Sequence, residues 1–145
     1  MRILRVLTNK KAEFIDITAA VAGAVSEKAT TFGLCCIFCP HTTAALTINE
    51  NADPSVTRDI LTYLEEAIPA GNSFSHQEGN SDAHIKSSLF GNSLTVVIED
   101  GQLKLGTWQG IYFCEFDGPR KRQVYVKTID SDSRACSAED LSRRG

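Results

Sequence analysis

Polar and apolar residues alternate along Arg2-Ile3-Leu4-Arg5-Val6-Leu7-Thr8 and again along Glu13-Phe14-Ile15-Asp16-Ile17, with polar Asn9-Lys10-Lys11 between them. A period of two is that of a strand with one buried face, so the pattern predicts a hairpin. Thr18 is placed to cap a helix carrying Val21, Ala24 and Val25 at helical spacing, with Gly33 marking its end. Residues 34–38 and 44–48 are apolar runs of strand length, which leaves Pro40-His41-Thr42 on a connection or at a strand start.

Asp53-Pro54 is a helix start: the aspartate caps, and proline in the first turn gives up no needed N–H. Val56, Ile60, Leu64 and Ile68 then form one apolar stripe that ends at Pro69. After a polar stretch over 71–80, Asn80 or Ser81 can cap a third helix, which is expected to turn Ile85 and Leu89 inward and to stop at Gly91. Residues 94–98, 103–105, 111–116 and 123–129 read as strands, the last two joined by the turn Asp117-Gly118-Pro119-Arg120. Seven or eight strands and three helices without regular βαβ alternation predict an α+β domain with a mixed, largely antiparallel sheet. That domain covers 1–130, and the polar tail over 131–145 is read as poorly ordered.

Composition narrows the function without naming it. At 145 residues, 42% hydrophobic and 23% charged, the chain is an ordinary globular domain. A net charge of -3 gives no reason to expect nucleic acid or an anionic membrane as partner. No apolar run approaches the roughly 18 residues of a membrane span, and Met1-Arg2-Ile3-Leu4-Arg5 is too short and interrupted for a signal peptide. A cytoplasmic protein is expected. Cys35, Cys36, Cys39, Cys114 and Cys136 are an odd set, read as reduced thiols. Cys36-Ile37-Phe38-Cys39 has redox spacing, but a strand-like run favours core thiols over an exposed nucleophile at a helix start. No phosphate loop of Walker or Rossmann type and no serine elbow is present, so no nucleotide cofactor is expected.

The candidate chemistry lies with the histidines. His41 sits in Cys39-Pro40-His41-Thr42-Thr43, and His76 and His84 bracket Gln77-Glu78-Gly79-Asn80-Ser81-Asp82-Ala83. Three imidazoles and an open position are the arrangement of a catalytic zinc site. His76 and His84 would stand about 12 Å apart on a continuous helix, so they share a ligand only if Gly79-Asn80 bends the chain. Glu50 and Glu78 are candidate proton acceptors, and Asp82 is placed to orient a histidine. Asp53 and Asp82 also read as helix caps or first-turn acids. Trp108 and Gln109, in a glycine-punctuated segment, offer a stacking face and an amide, or a core anchor in a tight turn. The Arg120-Lys121-Arg122 cluster with Lys127 could grip phosphate or form a solvated hairpin end.

His41-Thr42-Thr43-Ala44-Ala45-Leu46, Asn49-Glu50-Asn51-Ala52-Asp53-Pro54, Asn80-Ser81-Asp82-Ala83-His84, Leu105-Gly106-Thr107-Trp108-Gln109 and Phe116-Asp117-Gly118-Pro119-Arg120 together resemble the YjbQ-like family, also labelled secondary thiamine-phosphate synthase. The resemblance implies an α+β fold assembled as a homotrimer, with a site near subunit contacts built from these motifs. It implies a weak thiamine-phosphate synthase, joining an aminopyrimidine pyrophosphate to a thiazole phosphate with release of pyrophosphate. On that reading His41, His76 and His84 hold a divalent ion, zinc or magnesium, or else a phosphate. Thr42, Asn51, Asp53, Asn80, Lys104, Trp108, Gln109 and Arg120 bind a small phosphorylated molecule. A metal-dependent hydrolase and a non-catalytic trimeric binder of such a ligand are the alternatives.

Overall fold

The computed structural model describes residues 1–71 and 74–131. Eight strands and three helices run in the order β1 (Arg2–Leu7), β2 (Glu13–Asp16), α1 (Thr18–Lys28), β3 (Gly33–Phe38), β4 (Ala44–Glu50), α2 (Pro54–Ala67), α3 (Ser81–Phe90), β5 (Ser93–Glu99), β6 (Gln102–Leu103), β7 (Gln109–Glu115) and β8 (Lys121–Asp130). The α+β class holds. The expected mixed sheet is instead two sheets, ordered β1-β8-β3-β5-β6 and β2-β7-β4, in which every pairing is antiparallel.

Strand β7 explains the layering. Its residues Gly110 to Glu115 are all buried, because both faces of the three-stranded sheet are covered. Ile111 and Phe113 join Val6, Ile37, Val96 and Val126 of the larger sheet and Val21 and Val25 of α1 in one core. The intervening Tyr112 and Cys114 point the other way, toward Leu64 of α2 and Ala83 of α3. Alternation along one strand thus feeds two cores. Among the described residues nothing covers the outer face of the larger sheet, and Ile3, Leu34, Phe38, Val97 and Ile129 on it are exposed.

Two helices depart from expectation in instructive ways. Thr18 is the first residue of α1 rather than its cap; the cap position is Ile17, which offers no side-chain bond, and Asp16 Oδ1 accepts the Thr18 N–H at 2.8 Å. The helix ends at Lys28, where Ala29 is left-handed, and Gly33 instead opens β3. In α3 the expected inward residues Ile85 and Leu89 are exposed, while Asp82, Ala83, Lys86 and Ser87 are buried. An ion pair four residues apart, Lys86 Nζ to Asp82 Oδ2 at 3.2 Å, holds the inward face. The strand expected at 103–105 is only Gln102–Leu103. The expected tail beyond Ser131 lies outside the described residues.

Candidate functional site

The connection between β7 and β8, strands of different sheets, builds the floor beneath His41. Arg122 donates to Glu115 through Nε and Nη2, at 2.7 and 2.6 Å, and both side chains are out of solvent. Thr8 Oγ1 and the N–H groups of Phe116 and Asp117 also donate to the Glu115 carboxylate, at 3.0, 3.0 and 2.9 Å. Arg122 Nη2 reaches on to Thr43 Oγ1 at 2.9 Å. Every oxygen of this buried carboxylate is satisfied, which is what makes its burial tolerable. At Gly118 an added Cβ would fall 2.2 Å from the Lys10 carbonyl oxygen, so the turn and the β1–β2 connection touch only through glycine.

His41 stands on this floor. Its Nε2 accepts the Gln123 N–H at 2.9 Å, which leaves the proton of the neutral ring on Nδ1. Burial, aided by the nearby Arg122 guanidinium, pushes the imidazole below its ordinary value. His41, Thr42, His84, Ser87 and Ser88 line one open cleft of about 480 Å³. Ser87 Oγ donates to the Thr42 carbonyl and ties α3 to the start of β4.

The bend expected at Gly79 is present. Gly79 has φ 73° and donates to the His76 carbonyl at 3.1 Å, folding His76 back toward α3. The His76 and His84 rings then meet edge to face with centres 5.2 Å apart. That spacing is ordinary for edge-to-face packing of two rings, and two imidazoles sharing one zinc, each about 2.0 Å from it, would have their centres about 5 Å apart as well. The third histidine does not join them, since His41 Nε2 is engaged with Gln123. Among the described residues no group of three or more histidine, cysteine or acidic side chains is close enough to hold a metal. Glu78 is exposed, with a carboxylate oxygen 3.9 Å from His76 Nε2.

Asn80 and Arg120 belong to the same end. Asn80 Nδ2 donates to Asp117 Oδ2 at 3.0 Å, and Arg120 donates to the same oxygen at 2.8 Å. Burial alone would raise the Asp117 carboxyl, but these bonds and the guanidinium charges outweigh it and hold it below the usual range. Asp82 faces Lys86 and Lys11 rather than a histidine.

The other expected site residues lie elsewhere. Glu50 is six residues along β4 from Ala44, about 20 Å away. Around it, Asn51 Nδ2 donates to Asp16 Oδ2 at 3.2 Å and Tyr112 donates to the Glu50 carbonyl at 3.1 Å. Asp53 is the cap of α2, accepting the Ser55 N–H at 2.8 Å. Gln109 Oε1 accepts the Gly106 N–H, and Trp108 is an exposed ring rather than a core anchor. Lys104 is paired with Glu99 at 2.6 Å. One chain therefore carries two polar ends, His41, His76, His84, Thr42, Asn80 and Arg120 at one and Glu50, Asn51, Asp53, Trp108 and Gln109 at the other.

The sequence pattern assigns Ser87 and Glu115 no role, and Arg122, read there as part of a phosphate-gripping or solvated cluster, is instead buried against Glu115. A charged residue ending the apolar run Ile111-Tyr112-Phe113-Cys114 and matched by an arginine across a Gly-Pro turn was the available signal. The thiols behave as core: Cys35, Cys39 and Cys114 are buried, and burial pushes Cys35 up to about 11. Cys136 lies outside the described residues.

A single α+β domain with a histidine-lined cleft at one end of α3 is the class this geometry defines. The family model described as UPF0047 protein YjbQ-like matches residues 2–131, and the chain belongs to that family. A UPF0047 protein of Methanocaldococcus jannaschii, MJ1081, is 57% identical over 125 residues, covering 86% of this chain and 91% of its own. YugU of Bacillus subtilis is 52% identical over 130 residues, covering 89% and 98%. The crystal structure of a YjbQ/UPF0047 protein from Clostridium acetobutylicum superposes with a TM-score of 0.87 at 56% identity, covering 89% of this chain and all of its own. No helix among the described residues is long and apolar enough to cross a membrane.

Proposed function

We infer that the chain is a small-molecule enzyme that binds a phosphorylated substrate in the His41–His84 cleft. The observation that carries this reading is one cleft along α3 that brings His41 and His84 together with Thr42, Ser87 and Ser88, with the His76 ring packed edge to face on His84. His41, with Nε2 engaged by a backbone N–H, is a neutral donor through Nδ1. Arg120, braced by Asp117, adds a fixed positive charge at the same end. His76 and His84 would hold a divalent ion, zinc better than magnesium for imidazole nitrogen. When bound, such an ion supplies Lewis-acid stabilisation of phosphoryl oxygens.

The reaction that fits the family resemblance is thiamine-phosphate synthesis. The bond from the aminopyrimidine to pyrophosphate breaks as its bond to the thiazole phosphate forms, and Arg120 receives the departing pyrophosphate. Assembly as a homotrimer belongs to this reading. The Glu50 and His41 ends, about 20 Å apart in one chain, form one site only when another copy supplies the second end. The uncovered apolar face of the larger sheet supports such assembly.

A hydrolase is the second reading, favoured by Glu78 beside His76 as a proton acceptor for attacking water. Elemental analysis of wild type beside His76→Ala and His84→Ala tests the ion, which is expected near one per chain and lost in both folded variants. Pyrophosphate release with and without the thiazole phosphate separates the reactions: a synthase needs the acceptor and a hydrolase does not. Saturable binding without turnover in either assay would leave a non-catalytic binder.

A further inference from the structure

Ile85 turns outward on α3 and borders an open groove of about 360 Å³, which Phe74, His76 and His84 line with it. Ser75 and Ser81 complete the lining, so none of the six side chains carries a fixed charge. Glu78, 3.9 Å from His76 Nε2, is not among them. His84 also lines the polar cleft of about 480 Å³ with His41, Thr42 and Ser88. One imidazole is therefore shared by the walls of an apolar groove and of a cleft rich in hydroxyl and imidazole groups.

Three of the groove's side chains are rings. His76 and His84 meet at 85° with centres 5.2 Å apart, so the edge of one abuts the face of the other. A planar ring entering the groove meets the orientations that aromatic pairs prefer, at the ordinary centre spacing of about 4.5–7 Å. Phe74 and Ile85 are 39% and 37% exposed, and covering their apolar surface favours an organic ligand over water. A phosphoryl group finds no cation in the groove's lining, whereas the cleft offers the His41 N–H and serine hydroxyls.

We propose that the groove is the ring subsite of the histidine cleft. The ligand is a phosphate monoester whose organic part is a planar ring on a short spacer. The ring packs on Phe74, His76 and Ile85, and the phosphoryl group lies across His84 in the cleft. This names the substrate class of the site inferred above and rests on that reading. A saturated ring of equal size covers Ile85 as well but forgoes the packing of ring on ring. A second copy of the chain would also cover Phe74 and Ile85. The continuity of groove and cleft through one residue favours instead a ligand with an apolar and a phosphorylated end.

Benzyl phosphate, cyclohexylmethyl phosphate and inorganic phosphate are the probes, titrated into the full chain with binding followed by NMR shifts of the protein. Wild type is expected to bind benzyl phosphate about tenfold tighter than inorganic phosphate, with cyclohexylmethyl phosphate between them. Phe74→Ala combined with Ile85→Ser, both at exposed positions, should abolish the preference for the ring and leave inorganic phosphate binding unchanged. Leu89→Ser, exposed on α3 but outside the groove, should bind all three as wild type does. His41→Ala should weaken all three alike. Equal affinity for benzyl and inorganic phosphate in wild type, or a ring preference that survives the double variant, would overturn the subsite and leave the phosphate cleft standing. Equal affinity for the planar and saturated rings would overturn the substrate class. No saturable binding of any probe would overturn cleft and subsite together. A change in sedimentation of the unliganded double variant would give the groove to a second copy and overturn the proposal equally.

Discussion

Glu115 and Arg122 meet across the β7–β8 turn through two charged hydrogen bonds of 2.6 and 2.7 Å, with both side chains removed from solvent. The pair ties β7 to β8, through Thr8 to the β1–β2 connection and through Thr43 to the chain just after His41. Removing one member strands the other's charge in the core. Arg122→Met is expected to cost about 3–5 kcal/mol by urea denaturation, and Glu115→Leu combined with it should recover much of that loss. A single-variant cost below about 1 kcal/mol would mean the pair behaves as a surface ion pair.

His41 makes stability depend on pH in a defined direction. Burial and Arg122 depress the folded imidazole below its unfolded value, so the unfolded chain takes up a proton first as pH falls. The stabilisation is complete above the ordinary histidine range, near pH ~6.5, and is lost as pH falls from there through the depressed folded value. Comparing thermal unfolding of wild type and His41→Gln from neutral to mildly acidic pH isolates this contribution. The gap between them should shrink as pH falls; a gap that widens would contradict the assignment.

How legible this was in the sequence depended on what each residue touches. The period-two strands and the Asp53-Pro54 start could be read directly, because local propensity and burial agree there. Helix α3 could not. Apolar spacing pointed to Ile85 and Leu89 as the inward pair, but the fold buries Asp82 and Lys86 because each neutralises the other four residues away. The contact of His76 with His84 was anticipated from the Gly79 bend. The separation of Glu50 from His41 was legible too, since one precedes and the other follows the strand over 44–48, but a common site for both motifs overlooks that strand's length.

Gly110 is fixed by a neighbour rather than by a turn. An added Cβ would fall 2.5 Å from Asn51 Nδ2 and 2.8 Å from Asn51 Cβ, so rotating the amide away does not make room. Gly110→Ala is expected to destabilise by about 1–3 kcal/mol and to break the Asn51–Asp16 hydrogen bond. That bond, together with Thr18, outweighs burial in holding the Asp16 carboxyl low. Denaturation and a carboxyl titration by NMR would show the two effects together. The Asp16 carboxyl is expected to rise only slightly, because the two Thr18 hydrogen bonds remain; a variant as stable as wild type would contradict the clash.

The uncovered sheet face makes the assembly testable without knowing the substrate. Ile3, Tyr125 and Phe38 align across β1, β8 and β3 in one row, and Ile129, Leu34 and Val97 across β8, β3 and β5 in another. The Phe38 and Tyr125 rings pack at 6.3 Å, yet Phe38, Leu34, Val97 and Ile129 stay exposed. Two apolar rows on one face are expected to be buried by other copies of the chain. Val97→Lys places a charge on that face and removes nothing from either core. Sedimentation equilibrium should find a trimer in wild type and a shift toward monomer in the variant, whose unfolding temperature should lose its dependence on protein concentration. A wild-type chain that sediments as a monomer at every concentration would remove the trimer, and with it the sharing of Glu50 and His41 between copies.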